Sequence, residues 1–248
     1  MRVLTIANYK GGVAKTTTAA NVSYNLTLHG YRVLVIDADP QGNLSYFYNK
    51  QNPAKKSFYD VLMGYCPIKS AIRRTKFKNL DILPGNNRTE ELTNIREFTL
   101  RNKLTDVSHD YDFVIIDCQP SMQINTINAM VAADDIIVPV KLSRYGINGL
   151  ELMDKYISDV KQYNPDISFK GCLITLYHST KCSNNGIQEL LEKTTYPIFD
   201  TVISRNSAAD TSIECRKPLL CHRSKASITK DYEAFTKEYL EMVVTIRG

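Results

Sequence analysis

Short apolar runs alternate with longer amphipathic segments along most of the chain, and this alternation predicts a parallel β-sheet flanked by helices. The runs are almost continuously hydrophobic, as parallel strands covered on both faces are. They are residues 3–7, 32–36, 79–83, 113–117, 135–140 and 169–177. Each strand and its following helix add a parallel strand through a right-handed crossover. The sequence therefore predicts a doubly wound α/β fold, with a mostly parallel sheet and helices on both faces.

The segments between these runs carry apolar residues at helical spacing. We predict helices over residues 18–28, 89–107, 147–160 and 186–194, with one or two short helices within 44–64. In the first helix the apolar stripe consists of Ala19, Val22, Leu26 and His29. The stripe of the 147–160 helix is expected to face the core, because amphipathic helices of globular domains bury that face by default.

Length and composition favour one α/β domain over residues 1–248, although the length alone also permits two small domains. Hydrophobic residues make up 43% of the chain and charged residues 23%, as in ordinary globular proteins. The cysteines form no C-x-x-C pair and His is scarce, so neither a zinc site nor an iron–sulfur cluster is indicated. With neither a signal-peptide pattern nor an apolar run of about 18 residues, we expect a cytoplasmic protein without a membrane span.

Positive charge is concentrated in one part of the chain. The formal net charge is +5, and between Lys50 and Lys103 Lys and Arg clearly outnumber Asp and Glu. Such a run is often only a solvated face. It is also the pattern of a surface that faces polyanions, and the sequence leaves both interpretations open.

A glycine- and lysine-rich turn, residues 9–17, joins the first strand to the first helix. Such a turn leaves the first helical N–H groups pointing at one spot, with the positive end of the helix dipole behind them. Gly11 and Gly12 allow close approach of the backbone to an oxygen, Lys15 supplies positive charge, and the Thr16 hydroxyl can complete the shell of a Mg²⁺. The turn therefore indicates a phosphate site, the alternative being an ordinary glycine-containing connection.

Carboxylates follow two other predicted strands. Asp37 and Asp39 come directly after the 32–36 strand, and Asp117 ends the 113–117 strand. Open α/β sheets bind ligands at the carboxyl ends of their strands. An aspartate-rich helix-capping turn is the alternative interpretation for Asp37 and Asp39. A strand that ends in Asp also fits the arrangement in which an acid holds the Mg²⁺ shell.

Together these motifs resemble the ParA/MinD superfamily of ATPases, and most of all its small ParA (Soj-type) members. The turn matches K-G-G-x-x-K-[ST], although the family usually has Gly at the position of Ala14, whose side chain resists positive φ. Residues 37–43 match D-x-D-P-Q-[GA]-[NS]. Residues 117–121 resemble D-[TC]-P-P-S, with Gln119 in place of the first Pro, which we expect to loosen the turn. Residues 125–130 follow the family's helix L-T-x-N-A-L, and residues 203–206 resemble I-P-R-N.

The resemblance implies binding of ATP and Mg²⁺ and slow, partner-stimulated hydrolysis. It gives catalytic roles to Lys10, Lys15 and Asp39, the last positioning the attacking water. The metal would be held by Thr16, Asp37 (through water) and Asp117. The nucleotide would contact Lys10, Gly11, Gly12, Val13, Ala14, Lys15, Thr16 and Thr17, with Ser204, Arg205 and Asn206 beside the adenine.

The resemblance also implies an ATP-bound homodimer, in which Lys10 reaches the partner's phosphates, that binds DNA non-specifically at the nucleoid and acts with a ParB-like centromere-binding protein. Arg223, Lys225 and Lys230 are the expected DNA contacts. No helix-turn-helix precedes the first strand, so operator binding is not expected. One alternative is a regulatory nucleotide switch with almost no turnover. The other is a MinD-like positioning ATPase, but the acidic polar face of the C-terminal helix favours packing onto the sheet over membrane binding.

Overall fold

Seven strands form one sheet in the computed structural model, which describes residues 1–142, 144–178, 180 and 196–244. The strands are β1 (Arg2–Ile6), β2 (Val33–Asp37), β3 (Arg73–Arg74), β4 (Leu80–Leu83), β5 (Phe113–Asp117), β6 (Asp135–Lys141) and β7 (Ser168–Thr175). Their order across the sheet is β3-β4-β2-β5-β1-β6-β7. All neighbouring strands are parallel except β3, which runs antiparallel to β4. The predicted mostly parallel sheet is confirmed.

Helices cover both faces of this sheet. They are α1 (Lys15–Leu28), α2 (Asn43–Phe47), α3 (Phe58–Leu62), α4 (Ile68–Ala71), α5 (Thr99–Leu104), α6 (Ile124–Val131), α7 (Arg144–Val160), α8 (Ala208–Glu214), α9 (Leu219–His222) and α10 (Ser227–Val244). Successive residues of β2 point to opposite faces: Leu34 joins the buried cluster that contains Met153 of α7, whereas Val35 joins the one that contains Phe235 of α10. The central strands are therefore buried on both sides, which is why they are continuously apolar.

The first helix ends at Leu28 as predicted, but its start and its apolar stripe differ from the prediction. It begins at Lys15, so the phosphate-loop residues Thr16 and Thr17 already lie in its first turn. His29 is not part of the buried stripe but is the exposed residue that caps the helix, and Gly30 follows with φ 90°. A glycine in the left-handed region is a common end of a helix, because it has no Cβ to clash there.

The prediction of one helix over residues 89–107 is wrong. The segment contains a 3₁₀ helix at Asn87–Glu91, an irregular stretch, α5, and a second 3₁₀ turn at Thr105–Val107. Asn94 lies within the irregular stretch at φ 56°, which cannot continue a right-handed helix. The two-residue strand β3 was not predicted, since Arg73 and Arg74 carry no apolar pattern. The predicted helix 186–194 lies outside the described residues.

The C-terminal helix α10 packs on the sheet, as predicted. Tyr232, Phe235 and Tyr239 are completely or almost completely buried. The Tyr239 hydroxyl donates a hydrogen bond of 2.8 Å to the buried carboxylate of Asp135, which also accepts one of 2.9 Å from Nη2 of Arg2. The apolar face of α10 is therefore committed to the core and tied to the first residues of β1 and β6.

Candidate active site

The loop between β1 and α1 takes a conformation that its sequence resists at one residue. Ala14 lies in the left-handed region at φ 63° and ψ 30°, immediately before the first residue of α1. For a residue with a Cβ this conformation costs roughly 1 kcal/mol or more. Hydrogen bonds on both sides of the loop hold Ala14 in this strained conformation. The Thr175 hydroxyl donates to the Val13 carbonyl (3.1 Å), and the Thr18 hydroxyl donates to the Ala14 carbonyl (2.8 Å). Ala14 thus adopts the loop shape that the family usually builds with glycine.

The Lys15 side chain folds back into this loop. Only 7% of its surface is exposed, and its Nζ donates a hydrogen bond of 2.7 Å to the Lys10 carbonyl. Burial lowers the pKa of Lys15, and the nearby carboxylates of Asp117 and Asp39 oppose that decrease. Burial also lowers the pKa of Lys10. An ammonium has three donors, so Lys15 can hold the loop carbonyl and still bind an anion.

Asp37 is held by the beginning of α2. Its Oδ2 accepts hydrogen bonds from the Ser45 backbone N–H (2.7 Å) and from the Ser45 hydroxyl (2.6 Å). Complete burial raises the pKa of Asp37 to about 6, although the Ser45 hydrogen bonds oppose the increase. The same Ser45 hydroxyl accepts a hydrogen bond from the Gly85 N–H (3.0 Å). Ser45 therefore links the ends of β2 and β4, a role that no local sequence pattern indicated.

Gly85 allows these two strand ends to approach closely. A Cβ at this position would lie 2.4 Å from the Asp37 carbonyl oxygen and 3.1 Å from the Asp39 carbonyl oxygen, both fixed backbone atoms. The sequence indicated only that Pro84 and Gly85 end a strand. The second function of Gly85 is to leave room for the aspartate segment.

The carboxylate of Asp117 is buried in the site without hydrogen-bond partners among the described residues. It is completely buried, and neither carboxylate oxygen has a hydrogen-bond partner within the described part of the chain. Burial and the neighbouring charge of Asp37 raise the pKa of Asp117 well above its ordinary value, while Thr16 and Lys15 act in the opposite direction. Buried carboxylates are normally paired or bound to a metal. This environment fits a bound cation.

Magnesium is the cation that these donors suit. Asp37 and Asp117 are register partners at the ends of β2 and β5, and the Thr16 hydroxyl lies beside Asp117. Among the described residues, no group of three or more His, Cys, Asp or Glu side chains could hold a metal alone. A metal here therefore depends on oxygen from Thr16, the nucleotide and water, which is how Mg²⁺ is usually bound with phosphates.

Asp39 lies at the same edge of the sheet. It is 7% exposed, and its Oδ1 accepts a hydrogen bond of 2.9 Å from the Gln41 N–H. The structure thus brings the predicted residues of the phosphate loop and the three aspartates together at the carboxyl ends of β1, β2 and β5. Gln119, expected to loosen the neighbouring turn, is instead buried and hydrogen-bonded to Asn125 (2.9 Å).

The residues expected beside the adenine lie between the end of β7 and α10. The Ser204 N–H donates to Asp231 (2.9 Å), and Asn206 accepts from the Ala208 N–H (2.9 Å), while the Arg205 side chain is exposed. A cavity of about 290 Å³ adjoins the phosphate loop, and none of these three residues lines it. Its walls are Thr16, Thr17, Ala20, Asn21, Asn43, Tyr46, Phe47, Ser212 and Ile213.

The expected DNA-contacting side chains of Arg223, Lys225 and Lys230 are exposed around the start of α10. The cationic stretch 50–103, by contrast, is divided. Some of its cations have acidic partners, as in Arg88–Asp60 (3.0 Å) and Lys69–Asp110 (2.9 Å). Others line a cleft of about 570 Å³ at the sheet edge opposite the phosphate loop, namely Arg74, Lys76 and Lys78.

Comparisons with known proteins agree with this geometry. Residues 1–169 match the AAA domain family. The chain is 34% identical over 258 residues to the chromosome partitioning protein ParA of Caulobacter vibrioides, covering 97% of this chain and 94% of that protein. It is 33% identical over 248 residues to the sporulation initiation inhibitor protein Soj of Bacillus subtilis, covering 96% of this chain and 97% of that protein.

A solved structure is similarly related. Cobyrinic acid a,c-diamide synthase from Mycobacterium smegmatis, with bound ATP analog and magnesium, aligns with a TM-score of 0.85 at 33% identity, covering 97% of this chain and 95% of that one. Within the described residues, no helix has the length and apolarity needed to cross a bilayer. The chain is an ATPase that uses ATP with Mg²⁺, and it belongs to the ParA/Soj family.

Proposed function

We propose that this chain drives the segregation of a plasmid, a mobile element or a chromosome as a ParA-type partition ATPase. In this proposal residues 1–248 form one ATPase domain that dimerises on binding ATP–Mg²⁺, binds DNA non-specifically at the nucleoid, and is released when a ParB-like partner stimulates hydrolysis. The observation that carries the proposal is the unpartnered, buried Asp117 beside Asp37 and the phosphate loop. Relatives named as ParA and Soj match nearly the whole chain.

The residues of the loop divide the work of holding the phosphates. Lys15 and the N–H groups at the start of α1 bind the phosphate oxygens, and the helix dipole adds to their attraction. Thr16, Asp37 and Asp117 hold the Mg²⁺, which supplies positive charge against the charge that develops on the transferred phosphoryl group. Asp39, which carries no such metal role, orients the attacking water. Lys10 reaches across the dimer to the partner's phosphates.

The base has two candidate positions. One is the loop Ser204–Asn206, in agreement with the I-P-R-N resemblance. The other is the 290 Å³ cavity at Thr17, whose aromatic wall includes Tyr46 and Phe47. Substituting Arg205 and Tyr46 separately by Ala, and comparing the affinities for ATP and for inorganic triphosphate, distinguishes the two. Only the residue at the base should weaken ATP binding without affecting triphosphate.

A nucleotide switch with almost no turnover is the second candidate function, because Ala14 holds a strained φ in the loop. Light scattering with ATP–Mg²⁺ and with ADP–Mg²⁺ separates the proposals, together with single-turnover hydrolysis in the presence and absence of DNA. A partition ATPase dimerises with ATP but not with ADP, and it hydrolyses ATP faster in the presence of DNA and the ParB-like partner. A protein that binds both nucleotides as a monomer and fails to hydrolyse ATP would be the switch.

A further inference from the structure

Two residues at which this chain departs from its family's sequence pattern are hydrogen-bonded to each other behind the aspartates. Gln119 replaces the first Pro of D-[TC]-P-P-S, and Asn125 replaces the first Leu of L-T-x-N-A-L. The Gln119 Nε2 donates a hydrogen bond of 2.9 Å to the Asn125 Oδ1. Both side chains are buried, with 8% and 1% of their surfaces exposed. Two polar replacements that satisfy each other in a buried place point to one shared role.

Asn125 carries the contact onward to the aspartate segment. Its Nδ2 donates a hydrogen bond of 2.7 Å to the carbonyl oxygen of Ala38, the residue between Asp37 and Asp39. The Ala38 N–H in turn donates to the Asp117 carbonyl oxygen (3.0 Å). Both polar groups of the Ala38 backbone are therefore bound to the β5–α6 region.

The chemistry of the amide makes this connection possible. Asn125 must accept from Gln119 and donate to Ala38 at the same time, and a side-chain amide does both. A proline at position 119 would restrict the turn through its own ring. Here the turn is restricted by hydrogen bonds, which also reach the neighbouring strand end. The second N–H of Gln119 donates to the exposed Gln123 (3.0 Å), a branch that does not continue to Ala38.

We propose that Gln119 and Asn125 are positioning residues for ATP hydrolysis, which act through the Ala38 carbonyl to hold the Asp39 carboxylate in place against the end of β5. This inference rests on the proposed role of Asp39 in orienting water. The Asp37 carboxylate is held separately by Ser45, and the Lys15 ammonium by the Lys10 carbonyl. Loss of either amide should therefore slow the chemical step and leave nucleotide binding unchanged.

The test compares Asn125→Ala, Gln119→Ala, the double variant and the matched control Gln123→Ala. Each is measured by single-turnover ATP hydrolysis, by calorimetric ATP–Mg²⁺ affinity and by thermal melting. Because small misplacements of a reacting group are costly, Asn125→Ala should hydrolyse about tenfold or more slowly, with an affinity within about twofold of the parent. The double variant should be no slower than Asn125→Ala, since Gln119 acts only through Asn125. Gln123→Ala should match the parent.

A second double variant tests whether slower hydrolysis reflects only a loss of folding stability. Gln119→Pro with Asn125→Leu restores the family pattern and leaves no unpaired amide, but it also leaves the Ala38 carbonyl without its donor. It should therefore fold and bind ATP and still hydrolyse it as slowly as Asn125→Ala. If Asn125→Ala does not fold, Gln119→Ala alone must slow hydrolysis for the proposal to stand. Parent-like hydrolysis by a folded Asn125→Ala, or equal losses of rate and affinity, would overturn it. Asp39→Ala, run in parallel, tests the underlying role: if that variant hydrolyses normally, the assignment of Asp39 itself is wrong.

Discussion

Asp37 and Asp117 lie directly opposite each other at the ends of β2 and β5, and both side chains are completely buried. Ser45 satisfies Asp37, whereas no described residue donates a hydrogen bond to Asp117. Burial raises the pKa of both groups, with a further increase from the charge of Asp39 at Asp37 and from the charge of Asp37 at Asp117. The nucleotide-free protein therefore carries an electrostatic cost at the place proposed for the metal, and we expect metal binding there to remove it.

Asp117→Asn should stabilise the nucleotide-free protein while abolishing Mg²⁺-dependent hydrolysis. The amide fills the same space without a buried charge, so we expect the free energy of unfolding at pH 7 to rise by about 1 to 3 kcal/mol. Chemical denaturation measures this change. A variant less stable than the parent without metal would show that Asp117 is paired in solution.

The stability gained by Asp117→Asn should depend on pH, because the pKa of Asp117 is raised in the folded protein. The folded-state pKa of Asp117 lies above its unfolded value, so the penalty is present at high pH and is lost as pH falls and the carboxyl binds a proton. The stability difference between Asp117→Asn and the parent should therefore shrink from pH 8 towards pH 5. A difference that grows over that range would contradict the assignment.

Gly85→Ala should damage the site from a neighbouring strand. The new Cβ would meet the Asp37 carbonyl oxygen at 2.4 Å, and a backbone atom cannot move aside cheaply. We expect a loss of about 1 to 3 kcal/mol in the free energy of unfolding, together with weaker Mg²⁺-dependent ATP binding. Gly64→Ala is the control, since a Cβ there meets nothing within 4 Å and only its φ of 75° is strained. Unchanged metal dependence in Gly85→Ala would separate Gly85 from the site.

The strands and the phosphate loop were predictable because their signals are local. Continuous apolar runs identified β1, β2 and β5, and each aspartate follows its strand directly in the sequence. The contacts of Ser45, Gly85 and Asn125 were not predictable, because each joins segments that are distant in the chain and meet only when the sheet forms. Gln119 illustrates both cases. Its sequence position shows only that a rigid proline is missing from the turn, whereas its hydrogen bond to Asn125 could be seen only in the folded structure.

Lys15→Ala should abolish ATP binding and leave the fold intact. Burial lowers the pKa of Lys15, so the folded state does not favour this charge, and its removal should change the free energy of unfolding by less than about 1 kcal/mol. Calorimetry with ATP–Mg²⁺ measures the binding. Lys10→Ala is the matched control in the same loop. It should keep nucleotide affinity but lose the ATP-dependent dimer, and nucleotide affinity retained by Lys15→Ala would refute the site.

Asp39→Ala should bind ATP and Mg²⁺ but hydrolyse ATP far more slowly, because we propose that Asp39 orients the attacking water and does not hold the metal. The slow variant should accumulate as an ATP-bound dimer, which light scattering detects. Asp39→Asn tests whether the charge or the hydrogen bond to Gln41 matters. A monomer in the presence of ATP, or parent-like hydrolysis, would mean that Asp39 has another role.

DNA binding should depend on ATP and be indifferent to sequence, with Arg223 and Lys225 among its contacts. Both are exposed beside the start of α10, and contacts to phosphates release counterions. Affinity should therefore fall steeply with salt, with a log–log slope of roughly −0.9 for each phosphate neutralised. A dimer presents each cation twice, so ATP should raise the affinity by avidity.

Replacing Arg223 and Lys225 together by Ala should weaken binding equally on unrelated duplexes and flatten the salt slope, because phosphate contacts carry no sequence information. Fluorescence anisotropy with ATP and with ADP, at several salt concentrations, measures both effects. The matched control removes Arg74 and Lys78, two cations at the cleft on the opposite sheet edge, and should bind like the parent. A larger loss of DNA affinity in that control would indicate that residues 50–103 form the DNA-binding surface. Absence of binding with ATP at low salt would favour the nucleotide switch, since that function needs no polyanion.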